Sequence, residues 1–141
     1  MKREIRVDMW VKLSRAYLTM NKKVVENIKG FGLTGPQFSA LDILGVYEKL
    51  SLSEIGEKML VSGANITMVI DNLEKLGFVK RVQNLGDRRI ILVQITESGK
   101  NKLSSILQTH IDFVSGLTKS LSDDEIKQLA ELLKKLGLSI K

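Results

Sequence analysis

Two arginines beside an aspartate form the most informative cluster of functional side chains in the sequence. Asp87, Arg88 and Arg89 lie in a short polar segment between two β-branched stretches, where a loop tip is predicted. Arginine suits a narrow A·T minor groove, whose negative potential attracts its weakly hydrated cation. Asp87 can orient one arginine or close the turn. A solvated hairpin tip could have the same composition, so the neighbouring elements must decide between the two interpretations.

A helix predicted over residues 63–76 supplies a second candidate group. Its apolar residues recur at helical spacing, which turns a surface of small and polar residues outward. Ser62 suits phosphate binding at a helix N-terminus, Asn65 suits pairing with adenine, and Thr67 suits a phosphate or a thymine methyl. The alternative is that Ser62 is only an N-cap and Asn65 only a surface residue. The residues predicted to contact DNA here are Ser62, Ala64, Asn65, Thr67 and Met68.

The composition excludes several other kinds of chemistry. The chain has no cysteine and a single histidine, His110, so it can form neither a disulfide framework, a thiol redox switch nor a multi-histidine metal site. It also has no glycine-rich phosphate loop and no carboxylate pair framed by a nucleophile. We therefore predict a protein that is not an enzyme and that has no metal or cofactor.

The elements that position these side chains are mainly helical. Apolar residues at three- and four-residue steps predict a long helix over residues 5–29. Capping boxes begin further helices at Thr34, Ser51 and Ser122, and another helix starts after Thr96. The short helix after Ser51 leads through a tight break into the helix of predicted base contacts, which together indicate a helix–turn–helix.

A β-hairpin is predicted directly after the helix–turn–helix, from segments 78–83 and 90–95. This order offers one helix for the major groove of DNA and one thin loop for the neighbouring minor groove. Lys80 and Arg81, at the start of the hairpin, are predicted to contact the DNA backbone. Asp71 would repel phosphates, so we expect it to organise Arg81 or a neighbouring lysine.

Length and charge agree with one small DNA-binding domain. The chain has 141 residues and a formal net charge of +6, which favours a polyanionic partner. Residues 78–89 contain four basic residues against one acidic residue, so part of the excess lies where the hairpin would meet DNA. A secretory signal and an apolar run long enough to cross a membrane are both lacking, which predicts a cytoplasmic protein without a membrane partner.

The segment Leu60–Val79, followed by Asp87-Arg88-Arg89 and Leu92–Gly99, resembles the MarR family of multiple antibiotic resistance regulators. The resemblance includes Leu33–Phe38 and extends over essentially the whole chain in length and element order. Its most specific part is the Asp-Arg-Arg loop followed by Ile95-Thr96-Glu97-Ser98-Gly99.

The resemblance implies a mainly α fold with a small β-hairpin wing, a winged helix–turn–helix with N- and C-terminal dimerisation helices. Residues 33–96 would bind DNA, and residues 1–32 and 97–141 would form a helical dimerisation region of the same intertwined domain. The implied protein is an obligate homodimer that binds a pseudo-palindromic double-stranded DNA operator and regulates or represses transcription by occluding it. Arg89 matches the wing arginine of the family, and Asp87 matches its acidic partner.

The sequence departs from the family pattern at one position, and the resemblance also implies a ligand. Residues 62–72 match the recognition helix, in which Met68 stands where arginine is common, so one DNA contact is expected to be missing. Family members often bind a small aromatic or phenolic effector between the dimerisation and DNA-binding regions. The alternative is that the residues suited to such a pocket are ordinary core. These residues are Trp10, Tyr17, Met20, Phe38, Leu41 and His110.

One different class of function stays open at this point. A dimeric helical adaptor could use the same basic surface to bind an acidic protein. Such an adaptor would give no operator footprint and would not need Arg88 and Arg89.

Overall fold

The computed structural model describes residues 1–59 and 63–140 of the chain, and the elements follow the predicted order with one addition. The helices are α1 (Ile5–Lys29), α2 (Gly35–Tyr47), α3 (Leu52–Met59), α4 (Gly63–Lys75), α5 (Glu97–Leu117) and α6 (Asp123–Ser139). The strands are β1 (Lys49–Ser51), β2 (Val79–Gln83) and β3 (Ile91–Ile95). The prediction of a mainly helical winged fold is confirmed.

Local capping begins the helices where the sequence indicates. The predicted capping boxes at Thr34, Ser51 and Ser122 all form. In the first, the Thr34 hydroxyl accepts from the Gln37 backbone N–H at 3.2 Å, and the Gln37 side chain accepts from the Thr34 N–H at 2.9 Å. Each box satisfies N–H groups that a helix start would otherwise leave unpaired.

A three-stranded antiparallel sheet in the order β1-β3-β2 carries the hairpin. The two hairpin strands are confirmed, and each starts one residue later than predicted. Strand β1 was not predicted, because Lys49–Ser51 is too short to show an alternating pattern and is extended only by pairing with β3.

The core among the described residues is entirely apolar and lies between α2, α3, α4 and the inner face of the sheet, with Ile28 of α1 and Ile106 of α5 completing it. Helix α4 buries Ile66, Ile70 and Leu73 in it, as its periodicity predicts. Fixing these three side chains in the core fixes which face of α4 is turned outward.

A tight joint connects the end of α4, the start of β2 and the start of α5. The Thr96 hydroxyl donates to the Gly77 carbonyl oxygen at 2.6 Å, and it accepts from the Gly99 N–H at 3.1 Å. The Thr96 N–H donates to the Phe78 carbonyl oxygen at 3.0 Å. Gly77 has a φ of +81°, which favours glycine. A Cβ on Gly99 would lie 2.2 Å from the Phe78 oxygen, so only glycine allows this approach.

Both terminal helices expose apolar faces. On α1, Trp10, Tyr17 and Leu18 are exposed, and every residue of α6 except Leu136 is exposed. The α6 leucines at 129, 132 and 133 recur at helical spacing and form one apolar stripe. Apolar faces of this kind are typical of surfaces that contact another protein.

Candidate nucleic-acid interface

The outward face of α4 carries the predicted base-contacting side chains. Asn65, Thr67 and Met68 are exposed, whereas Ile66 and Ile70 between and after them are buried. Ala64 lies in the first turn of α4, and Ser62 lies outside the described residues. Apart from Met68, the side chains of this face are therefore small or polar. Long charged side chains do not prevent the face from approaching base edges in a DNA groove.

The wing consists of β2, β3 and the loop 84–90 between them. The loop closes by a hydrogen bond of 3.0 Å from the Asn84 N–H to the Ile90 carbonyl oxygen. Asp87 holds Arg89 through three hydrogen bonds of 3.0 to 3.1 Å, one from the backbone N–H and two from the guanidinium. The Arg89 side chain is still 90% exposed, so its charge is oriented and remains accessible.

Electrostatics at the tip follow from this pair. The hydrogen bonds from the side chain and backbone of Arg89 hold the pKa of the Asp87 carboxyl below its ordinary value. The hydrogen bond to Asp87 likewise raises the pKa of Arg89. Arg88 and Lys80 are exposed, and Arg88 adds a second positive charge at the tip. The wing therefore presents cations on a loop with internal hydrogen bonds.

Arg81 joins the wing to the recognition helix. Its guanidinium nitrogens lie 2.7 Å from Asp71 Oδ1 and 2.7 Å from Glu74 Oε1, both on α4. Burial lowers the pKa of Arg81, but the hydrogen bonds and charges of the two carboxylates outweigh it and raise the pKa. Its side chain is only 28% exposed. The geometry thus gives Arg81 a bridging role, and its predicted contact with the DNA backbone stays a prediction.

Glu74 is the residue of the candidate site that the sequence did not predict. Asp71 and Glu74 are three residues apart and therefore neighbours on the surface of α4. This spacing, together with Arg81 shortly after the end of the helix, could have predicted that both carboxylates pair with the arginine. Glu74 also accepts from the Arg81 backbone N–H at 3.3 Å, so it fixes both the main chain and the side chain of β2.

The six residues predicted to line a ligand pocket have different environments. Phe38 and Leu41 are buried in the core, whereas Trp10 and Tyr17 are exposed on α1. The structure brings two of the six together, since the rings of Phe38 and His110 lie 4.8 Å apart. His110 Nδ1 is buried without a hydrogen-bond partner among the described residues, as is Asn27 Oδ1 on α1. The pocket stays a prediction.

Comparison with known proteins assigns the family. A sequence model described as the MarR family matches residues 33–91. The HTH-type transcriptional regulator MhqR of Bacillus subtilis is 33% identical over 135 residues, which cover 96% of this chain and 93% of the relative. The chain belongs to the MarR family.

Further relatives agree with a MarR-type DNA-binding regulator. The transcriptional repressor MprA of Escherichia coli K12 is 32% identical over 130 residues, with 88% of this chain and 74% of the relative covered. A crystal structure of a mutant MarR from E. coli in complex with operator DNA superposes with a TM-score of 0.78 at 26% identity, covering 94% of each chain. This MarR-family protein is a DNA-binding transcriptional regulator with a winged helix–turn–helix.

A helix long and apolar enough to span a bilayer is lacking in the part of the chain that the structure describes. Within the same residues, no group of three or more histidine, aspartate or glutamate side chains is placed to hold a metal ion.

Proposed function

We propose that this MarR-family regulator is a cytoplasmic homodimer that represses transcription by occluding a pseudo-palindromic operator, with no catalytic role. Each copy inserts the outward face of α4 into a major groove and the wing tip into the neighbouring minor groove. The two recognition helices then enter grooves about one helical turn apart. Repression agrees with the relative MprA, which is a transcriptional repressor.

One observation carries this proposal. An exposed arginine held by an aspartate stands on a wing whose root is bridged to the recognition helix. Arg81 fixes the wing to α4, and Asp87 fixes the direction of Arg89. DNA grooves repeat at a set spacing, so a protein that contacts two neighbouring grooves needs a rigid connection between its recognition helix and its wing.

The homodimer is supported by the uncovered apolar faces of α1 and α6. Residues 1–32 and 97–141 form the dimerisation region, and residues 33–96 bind DNA. The stripe of α6 leucines has no covering element among the described residues, and a second copy would bury it. Sedimentation of the full chain measures this, and monomers at micromolar concentration would contradict it.

A small aromatic or phenolic effector is the remaining part of the proposal. It would bind between the dimerisation and DNA-binding regions and favour one spacing of the two recognition helices over another. The support is two unpartnered buried atoms, Asn27 Oδ1 on α1 and His110 Nδ1 on α5, both in the proposed dimerisation region. Buried polar atoms normally have a hydrogen-bond partner, which a ligand or the second copy would supply.

Arg89→Ala tests the DNA-binding geometry. The probe is the DNA upstream of the protein's own gene, titrated at several salt concentrations. Losing one cationic contact per wing should reduce the slope of log K against log salt by about one per wing, or about two for the dimer. Arg6→Ala is the matched control, because Arg6 is 86% exposed and also pairs with a carboxylate two residues earlier, Glu4.

Two outcomes would contradict the proposal. If Arg89→Ala leaves the salt slope unchanged, the wing does not contact DNA. If the wild-type protein gives no footprint on any fragment but binds an acidic protein, the adaptor interpretation is correct.

Asn65→Ala tests the recognition helix separately, since it should relax base preference at one position in each half-site. Equal losses on operator and random DNA would remove Asn65 from the base-reading set.

A further inference from the structure

Leu85 is the most exposed leucine of the described residues and stands at the outermost turn of the wing. Its side chain is 99% exposed, so it packs against nothing in its own chain. A single exposed leucine means little by itself. Its setting is unusual, because it shares a short loop with Arg88 and the oriented Arg89.

The loop holds Leu85 outward. The Gly86 N–H donates to Asn84 Oδ1 at 2.8 Å, which closes a small side-chain turn around Leu85. On the other side of Leu85, the N–H of Asn84 donates to the Ile90 carbonyl oxygen. The backbone on both sides of Leu85 is therefore hydrogen-bonded, and the leucine side chain projects from an ordered turn.

The charges around Leu85 indicate what it meets. Arg88 and Arg89 make the loop basic, and its one carboxylate, Asp87, is used by Arg89. A partner must therefore combine negative charge with a narrow apolar surface. The minor groove of DNA does so, since phosphates line its edges, and apolar wedges such as leucine insert there between base steps and kink the duplex.

We propose that Leu85 is a minor-groove wedge, which enters beside Arg89 and selects operators whose flanking steps unstack easily. This inference rests on the proposed DNA-binding function. Arg89 supplies attraction that depends on salt, whereas Leu85 supplies apolar contact and a preference for deformable steps such as TA and CA. The wing then contributes to sequence selection without hydrogen bonds to bases.

Leu85→Ala tests the wedge on a duplex that the wild-type protein selects from a randomised library. Leu85→Ala should lose about threefold in DNA affinity per wing, so the dimer should bind the duplex about tenfold more weakly. The salt slope should not change, because no charge is removed. Energy transfer between dyes at the two duplex ends should show a smaller bend. Leu85→Met keeps an apolar side chain and should bind as the wild type does, and Val46→Ala, which trims an exposed side chain on α2, is the control outside the wing.

The outcomes separate this inference from the function on which it rests. If Leu85→Ala binds and bends the selected duplex as the wild type does while Arg89→Ala still lowers the salt slope, the wedge is overturned and DNA binding stands. If the wild type selects no duplex, the proposed function fails as well. If Leu85→Ala instead loses binding to vesicles of anionic phospholipid with DNA binding intact, the tip contacts membranes and the wedge is wrong.

Discussion

The guanidinium of Arg81 on strand β2 lies 2.7 Å from Asp71 on the recognition helix, in an ion pair that joins the two parts of the molecule expected to enter DNA grooves. The pair spans ten residues of sequence and the turn at Gly77. Together with Glu74 it sets the position of the wing relative to α4, so it should act on DNA binding without touching DNA.

Asp71→Asn should weaken operator binding even though it makes the protein more positive. Removing a carboxylate strengthens non-specific attraction to DNA, so an electrostatic role alone predicts tighter binding. Loss of the bridge predicts about fivefold weaker operator binding and about 1 kcal/mol less stability, since one charged hydrogen bond is lost and Glu74 remains. Titration of operator and random duplexes measures the specific and non-specific affinities, and denaturant unfolding measures the stability. Asp42→Asn removes an exposed carboxylate from α2 and is the matched control; tighter operator binding by both variants would exclude a bridging role.

Gly99→Ala should destabilise the protein by about 2–3 kcal/mol, because the new methyl group meets a backbone carbonyl that cannot move aside. The added Cβ would lie 2.2 Å from the Phe78 oxygen and 2.8 Å from Ile95 Cγ1. Gly116→Ala lies on the same helix with nothing within 4 Å, and it should be neutral or stabilising. Denaturant unfolding at one protein concentration compares the two variants, and equal stabilities would show that the approach at Gly99 is not tight.

Glu48→Gly should be more stable than Glu48→Ala. Glu48 has a φ of +67°, in the left-handed region that costs a non-glycine residue on the order of 1 kcal/mol. Its carboxylate pairs with Lys100 at 2.9 Å at the protein surface. Both variants lose this pair, but only glycine relieves the backbone. Thermal unfolding gives the order, and a less stable glycine variant would show that backbone strain at this position is negligible.

The pKa of Asp87 should rise towards its ordinary value in Arg89→Ala. In the wild type, the Arg89 side chain and backbone lower this pKa, and the alanine variant keeps only the backbone donor. A lowered folded-state pKa stabilises the loop above the unfolded pKa, and this contribution is lost as the pH falls through the folded value, below about pH 4. An NMR titration of the Asp87 carboxyl measures the shift. Arg89→Lys keeps the charge and should give an intermediate pKa, whereas identical curves for all three proteins would mean that the pair does not form in solution.

Local signals predicted most of the fold, and long-range pairing explains what they missed. The capping boxes at Thr34, Ser51 and Ser122 depend on residues three apart, so the sequence displays them directly. The hairpin follows from two β-branched segments around a polar loop. Strand β1 was not predicted, because Leu50 is extended only by pairing with Val93, which is distant in sequence.

The candidate site was predicted in its outward residues and not in its internal connections. Periodicity alone placed Asn65 and Thr67 on the exposed face of α4, because the buried positions are apolar. The partnership of Asp71 with Arg81 was expected, but Glu74 was missed because its role requires the wing to fold back against the helix. The contact of Phe38 with His110 likewise depends on how α2 packs on α5.

Thr96 is the single residue between β3 and α5, so a change in the direction of α5 is passed directly to the wing. Five strand residues reach about 17 Å from root to tip. A tilt of about 10° in the first turn of α5 would therefore displace Leu85 and Arg89 by about 3 Å, which is half the width of a minor groove. Because Arg81 ties the wing to α4, the recognition helix would move with it, and a small change in the direction of α5 would shift both groove contacts together.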